Sequence, residues 1–398
     1  MATTDSIPGV ITPCARTGRG LLVVLAAMAQ EQLESVLASL TDSFPAEDLL
    51  VASPDARPGN SNSSLRILAA PAADACWTLT AAEFANAYPL AAKNEARAIL
   101  MLGPESCLLA SSELRGLANA VLTTPADLVV PSYDLPPRAG LVNSAILYPL
   151  TRALFASRVR FPLAVDLGLS LRMAERMAGA ARRFVVSNQG EAPLWPVNEA
   201  TVAGFAIDQV EVGRRVQPPP AGPDLNTILP LVTGALFSDI DAKAASWQRF
   251  RPLPSACDVL PEPQAPTTNA AAEISPMLQA FRLACTNLQE IWSIVLPPHS
   301  LLALKRLSAT DAAVFRMPDS LWARIVYDFL LAHRLRRINR GHLLGALIPL
   351  YLAWVASHFN ITDSGTNSEH HIEAVAAAFE ADKTYLVSRW RWPDRFNP

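Results

Sequence analysis

The sequence predicts an α/β protein, a mostly parallel sheet domain followed by an all-α C-terminal domain. Three features of its 398 residues carry this reading. From Leu21 to Val130, short apolar runs alternate with amphipathic stretches, the strand-helix-strand rhythm that a parallel sheet requires. Residues 251–272 hold Pro252, Pro254, Pro261, Pro263 and Pro266, which suits an extended connector. Beyond it apolar residues recur at helical spacing, through Leu278, Phe281, Cys285, Leu288, Ile291 and Trp292 and then Leu321, Ile325 and Phe329. The expected organisation is a leader over 1–19, a sheet domain over 20–250, the connector, and a helical domain over 273–398.

In chain order, Arg16 and Arg19 stand before the apolar run Leu21–Ala29, a pattern that also heads secretory signals. A first buried strand at Leu21–Leu25 is the preferred reading, because Gln30–Leu40 continues as a helix with Leu33, Val36, Leu37 and Leu40 on one stripe. Leu49–Val51 is a second strand ending at Ser53-Pro54-Asp55, Leu65–Leu68 a third, and Thr80–Ala87 is helical. Cys107–Ala110 reads as a fourth strand. Leu128–Val130 reads as a buried parallel strand, broken at Pro131 and Pro136-Pro137. From Asn143 the residues Ile146, Leu147, Leu150, Leu154 and Phe155 fall at helical spacing, with Asn143 or Ser144 as cap. Phe161–Asp166 is strand-like, Ala200–Val216 completes the sheet, and Leu231–Phe250 is a helix. The last third gives helices at Pro276–Val295, Ser320–Arg337, His342–His358 and Ser368–Lys383. Leu343–Val355 is too short to span a bilayer and holds Pro349, so it reads as buried.

A net charge of −3 gives no electrostatic reason to expect nucleic acid. The one basic cluster, Arg334, Arg336, Arg337 and Arg340, sits where a helix should end and complements its dipole. The five cysteines lie far apart and read as reduced thiols of a cytoplasmic protein, not a disulfide frame or a zinc site. The helical region reads as a packing or dimer-forming unit, with His370-His371 on its surface and Trp390-Arg391-Trp392 as a docked tail.

The run Tyr148-Pro149-Leu150-Thr151-Arg152-Ala153-Leu154, then Arg158-Val159-Arg160 and Asp166-Leu167-Gly168-Leu169-Ser170, resembles the core signature of the glucosylglycerate and glucosyl-3-phosphoglycerate synthases. The resemblance resumes at Val202–Phe205, Gly213-Arg214-Arg215, Asn287–Trp292, Leu321–Phe329 and Tyr385–Arg391. It implies a GT-A fold with a Rossmann-like nucleotide-sugar domain. It also implies retaining transfer of a hexose from a UDP- or GDP-sugar to glycerate or phosphoglycerate, with Mg²⁺ or Mn²⁺ as cofactor.

Carried over residue by residue, the resemblance places Asp55 against the nucleotide and Lys93 near the diphosphate. The family's Asp-x-Asp cation motif falls on Ser111-Ser112-Glu113, which keeps one carboxylate, and the family's metal histidine falls on Gln217. Two carboxylates suit such a site because a hard cation wants several oxygen ligands and offsets charge on the leaving diphosphate. The acceptor loop is Ala139–Ser144, with a carboxylate and two threonine hydroxyls of the family pattern absent. Asp166 is placed to orient an acceptor hydroxyl or steady the donor ring, and Arg152, Arg158 and Arg160 to hold an anionic group. Each has a plain structural alternative: a turn for Asp55, a solvated charge for Lys93, a dipole partner for Glu113, a helix cap for Asp166, and salt bridges for the arginines.

Three functions follow. One is a hexosyltransferase with a cation held by Glu113 and waters. A second needs no metal and offsets diphosphate charge with Lys93, Arg214 or Arg215. The third is a catalytically silent relative acting as a partner or regulatory subunit, in a homodimer or hetero-oligomer.

Overall fold

The computed structural model describes residues 20–55, 65–71, 76–214, 225–251 and 270–393. The expected leader, most of the connector, Arg215 and Gln217 lie outside them.

Seven strands form one sheet among these residues: β1 (Leu21–Leu25), β2 (Leu49–Ser53), β3 (Arg66–Ala69), β4 (Ala98–Leu102), β5 (Leu128–Asp134), β6 (Asp166–Ser170) and β7 (Ile207–Arg214). Their order is β3-β2-β1-β4-β6-β5-β7, with β6 antiparallel to both neighbours and every other pairing parallel. The expected mostly parallel sheet is therefore present. Two strand expectations are corrected. The fourth strand is Ala98–Leu102, and Cys107 belongs to a short 3₁₀ turn, Pro104–Leu108. Phe161–Val165 is irregular, and β6 begins at Asp166.

Alternation of side chains along each strand divides the sheet's core in two. Leu21, Val23, Leu25, Leu100 and Leu102 face α1 (Gln30–Ser43) and α3 (Ser111–Thr123). Leu22, Val24, Ile99 and Met101 face α2 (Ala81–Lys93), α5 (Leu171–Val186) and α6 (Pro196–Ala203). Ser170 caps α5, its Oγ accepting from Met173 N–H at 3.2 Å, so Asp166 is a strand residue and not the expected cap.

A third core joins α4 (Tyr148–Phe155) and α7 (Leu225–Ala242) to the later helices. After α8 (Ala244–Trp247) these are α9 (Ala270–Asn287), α10 (Gln289–Val295), α11 (Pro298–Ser308), α12 (Asp319–Leu335), α13 (Arg340–Asp363), α14 (Ser368–Ala381) and α15 (Lys383–Arg391). A π-turn at Asn143–Leu147 leads into α4, and Trp322 of α12 donates its indole N–H to the Ala145 carbonyl at 2.8 Å. Asn143 is not the expected cap; its amide donates to the Arg160 carbonyl at 3.0 Å. By length and composition α13 suffices to cross a membrane, yet 67% of its most apolar window is buried inside the protein.

Candidate functional site

The strand order reverses between β1 and β4: β2 and β3 continue on one side of β1, and β4 opens the other. In open α/β sheets ligands bind in the crevice outside the carboxyl ends of strands at such a reversal. Here that crevice is bordered by Ala26–Ala29 after β1, Ser53–Asp55 after β2, and Gly103–Glu105 after β4. Ala26 N–H donates to the Leu102 carbonyl at 2.9 Å, which fixes the two strand ends to each other.

Asp55 is exposed at this edge. Its Oδ2 accepts the Met28 backbone N–H at 3.2 Å, so the carboxylate shapes the turn after β1. Glu105 lies in the turn directly after β4, half-buried, and makes no hydrogen bond or ion pair with the described residues. The Ser106 hydroxyl beside it is buried and has no hydrogen-bond partner among the described residues. Glu105 was not among the expected site residues. Its signal was the unbroken apolar run Ala98–Leu102 followed by Gly103-Pro104, a strand and its breaker.

Asp166 pairs with Leu102 across β4 and β6 and is fully buried. Its Oδ1 accepts Gly103 N–H at 3.0 Å and its Oδ2 accepts the Tyr133 hydroxyl at 3.3 Å. Gly103 is held close: a Cβ there would meet the Val165 carbonyl oxygen at 2.8 Å. The carboxylate thus organises the end of β4 from beneath, without reaching solvent.

Glu113 lies at the start of α3, on the same edge. Its Oε2 accepts Ala110 N–H at 2.7 Å and its Oε1 accepts Gly213 N–H, which ties α3 to β7. Both oxygens serve backbone donors, and among the described residues no group of three or more His, Cys, Asp or Glu is arranged to hold a metal ion. The side chains present therefore do not fit the cation expected at Ser111-Ser112-Glu113. The Ser43 hydroxyl donates to the Ser111 carbonyl at 3.1 Å, joining α3 to α1.

The cations expected near the phosphates separate. Lys93 is exposed at the last residue of α2. The helix returns the chain to the amino end of β4, where Arg97 N–H meets the Gly20 carbonyl, so Lys93 is at the pole opposite Asp55. Arg214 ends β7 on the carboxyl side, in register with Asp134.

Arg152 is not open to an anion. Its Nε and Nη2 donate to Glu380 at 3.1 Å, and its Nη1 pairs with Glu373 and meets the Tyr148 hydroxyl at 3.1 Å. Arg160 pairs with Glu369 at 3.0 and 3.1 Å and donates to Ser144 Oγ. Arg152 therefore fastens α4, and Arg160 the stretch that follows it, to α14, the salt-bridge alternative. Arg158 is exposed. In the helical region His371 is 5% exposed, which corrects its surface reading.

No family model matches the sequence, and no curated protein does. Among solved structures, the chain is similar to glucosyl-3-phosphoglycerate synthase from Mycobacterium tuberculosis in complex with Mn²⁺, UDP and glucosyl-3-phosphoglycerate. That match has 16% identity and a TM-score of 0.38, and covers 63% of this chain and 86% of that one. It is also similar to mannosyl-3-phosphoglycerate synthase from Rubrobacter xylanophilus, with 15% identity, a TM-score of 0.37 and coverage of 63% and 83%. A mycobacterial protein matches with 15% identity, a TM-score of 0.38 and coverage of 64% and 82%.

Proposed function

We propose that this protein is glycosyltransferase-like and receives a nucleoside-diphosphate sugar in the crevice between β1 and β4, without a carboxylate-held divalent cation. The observation that carries the reading is the strand-order reversal, with Asp55 and Glu105 bordering the crevice it opens. Asp55 presents the turn after β1 to the nucleotide. Glu105, the one carboxylate of the β4 turn without a partner among the described residues, accepts hydroxyls of the transferred sugar. Charge on the diphosphate is offset by Arg214 at the end of β7 and by Arg215, which follows it in sequence. The acceptor is a small polar acid such as glycerate or phosphoglycerate.

A second reading is a catalytically silent relative acting as a partner or regulatory subunit. It is favoured by the engagement of Asp166 and Arg152, whose polar groups are taken up inside the protein. Calorimetric titration with UDP, GDP and their glucose and mannose conjugates, with and without Mg²⁺ or Mn²⁺, tests the binding. Metal-indifferent binding that weakens in Glu105→Ala is expected; absence of any nucleotide binding overturns the proposal. Sugar transfer to glycerate or phosphoglycerate, followed by ³¹P NMR, then separates an active enzyme from a silent one.

A further inference from the structure

Behind the segment that leaves β5, four side chains from three helices form a hydrogen-bonded chain that the sheet edge does not use. His358 of α13 and His371 of α14 lie edge to edge in nearly one plane, 20° between their rings, with ring centroids 4.9 Å apart and their Nδ1 atoms 2.6 Å apart. His371 Nε2 lies 3.2 Å from Asp319 Oδ1 of α12, and His358 Nε2 lies 3.2 Å from Ser368 Oγ. Ser368 Oγ is in turn 3.4 Å from the carbonyl oxygen of Pro137, which the His358 ring also faces. Trp354 stacks on both imidazoles, and His358, Ser368 and His371 are all buried. Ser368 is too enclosed to serve as a nucleophile toward a substrate.

Only one hydrogen fits between two ring nitrogens at that separation. The pair therefore holds at most one proton beyond its neutral state, and two hydrogen-bond patterns satisfy the chain. Without the extra proton, His371 donates Nε2–H to Asp319, His358 donates Nδ1–H to His371, and the Ser368 hydroxyl donates to His358 Nε2. With it, His371 donates from both nitrogens, to Asp319 and to His358 Nδ1. His358 then carries its hydrogen on Nε2 and donates to Ser368 Oγ, and the Ser368 hydroxyl turns to the Pro137 carbonyl. One proton taken from solvent thus reverses two hydrogen bonds and completes a third.

We propose that Asp319, His371, His358 and Ser368 form a one-proton switch that fastens segment 135–142 to the helices when it is protonated. The segment emerges from the carboxyl end of β5, so the switch acts on one wall of the sheet edge, whether or not that edge binds a nucleotide. A second fastener does not depend on the proton: Arg138 bridges Glu273 at 2.5 Å and Asp363 at 3.2 Å and lies 4.4 Å over the Phe359 ring. The charges facing the pair agree with the assignment. Asp319 on α12 faces His371 at 3.2 Å, whereas on His358 Arg138 and Arg160, themselves paired with acidic residues, oppose the extra proton and the Pro137 carbonyl favours it. Burial, with the neighbouring His371, holds His358 down to about 3.

Nitrogen-detected NMR of the histidine side chains, with hydrogen exchange of the full chain between about pH 8 and 5, tests the switch. Acidification is expected to move the His358 hydrogen from Nδ1 to Nε2. It should also raise the protection of the Ala139 and Ser144 amides about fivefold after correction for intrinsic rates, as one net hydrogen bond does. In Ser368→Ala the tautomer change persists and the gain in protection falls, because the serine link to the Pro137 carbonyl is lost and only His358 still faces it. Asp319→Asn shifts the transition to lower pH. A fixed His358 tautomer, an equal gain in Ser368→Ala, or an unmoved transition in Asp319→Asn overturns the proposal.

Discussion

The carboxylate of Asp166 accepts the backbone N–H of Gly103 at 3.0 Å from a position 63 residues away. That bond places a buried carboxyl group under the turn that follows β4, ahead of the Ser111-Ser112-Glu113 stretch on which the cation motif was expected. The first prediction comes from its two ends. Asp166→Ala takes the buried acceptor from Gly103 N–H and is expected to destabilise the fold by roughly 1–3 kcal/mol. Gly103→Ala drives a methyl into the Val165 carbonyl oxygen, with destabilisation of about 1–3 kcal/mol. Urea unfolding measures both, and a neutral Asp166→Ala would show that the carboxylate does not organise this turn.

Arg152 supplies a second prediction, because its partner Glu380 has a side chain only 11% exposed. Arg152→Ala strands that carboxylate and should cost about 3 kcal/mol or more, with α14 the first element to lose hydrogen-exchange protection. Arg152→Ala with Glu380→Ala should recover part of the loss. If Arg152→Ala instead abolished nucleotide binding at unchanged stability, the anion-site role would return.

Glu105 and Lys93 make a paired test of the crevice. Glu105→Gln is expected to weaken binding of a UDP-sugar roughly tenfold while leaving UDP itself nearly unaffected, since a charged acceptor for sugar hydroxyls is lost. Lys93→Ala, at the opposite pole, should leave both affinities unchanged. A large effect of Lys93→Ala would contradict the placement of the ligand.

The sequence made β1, β2 and β5 legible because each is an apolar run buried on both faces of the sheet. β4 was missed for a physical reason. Ile99-Leu100-Met101-Leu102 holds a single β-branched residue, so its run does not distinguish strand from helix, and the next apolar stretch, which leads to Glu113 and not Glu105, reads equally well as the strand. The burial of His371 could have been read from the stripe of Ser368, Ile372, Val375 and Phe379 on its helix. The pairing of Arg152 and Arg160 with Glu373, Glu380 and Glu369 could not, because it joins residues more than 200 positions apart and leaves no local pattern.

The last prediction concerns acid lability. His333 on α12 is 2% exposed, packs edge-on against Phe237 at 5.7 Å, and leaves its Nδ1 buried without a partner among the described residues. Burial first, then Arg340 and Arg336, lowers it from 6.5 to about 4. Between those pH values the unfolded chain binds a proton at this ring that the folded protein refuses. Its contribution to stability is therefore complete above pH 6.5 and is lost as pH falls toward 4, approaching about 1.4 kcal/mol per pH unit. His333→Leu removes the titrating ring at similar volume. The mutant's stability relative to wild type should accordingly rise with that slope on acidification, read from urea midpoints at fixed pH steps. A stability difference that stayed constant from pH 7 to pH 4 would mean that His333 is protonated in the folded protein, with Arg336 and Arg340 displaced from it.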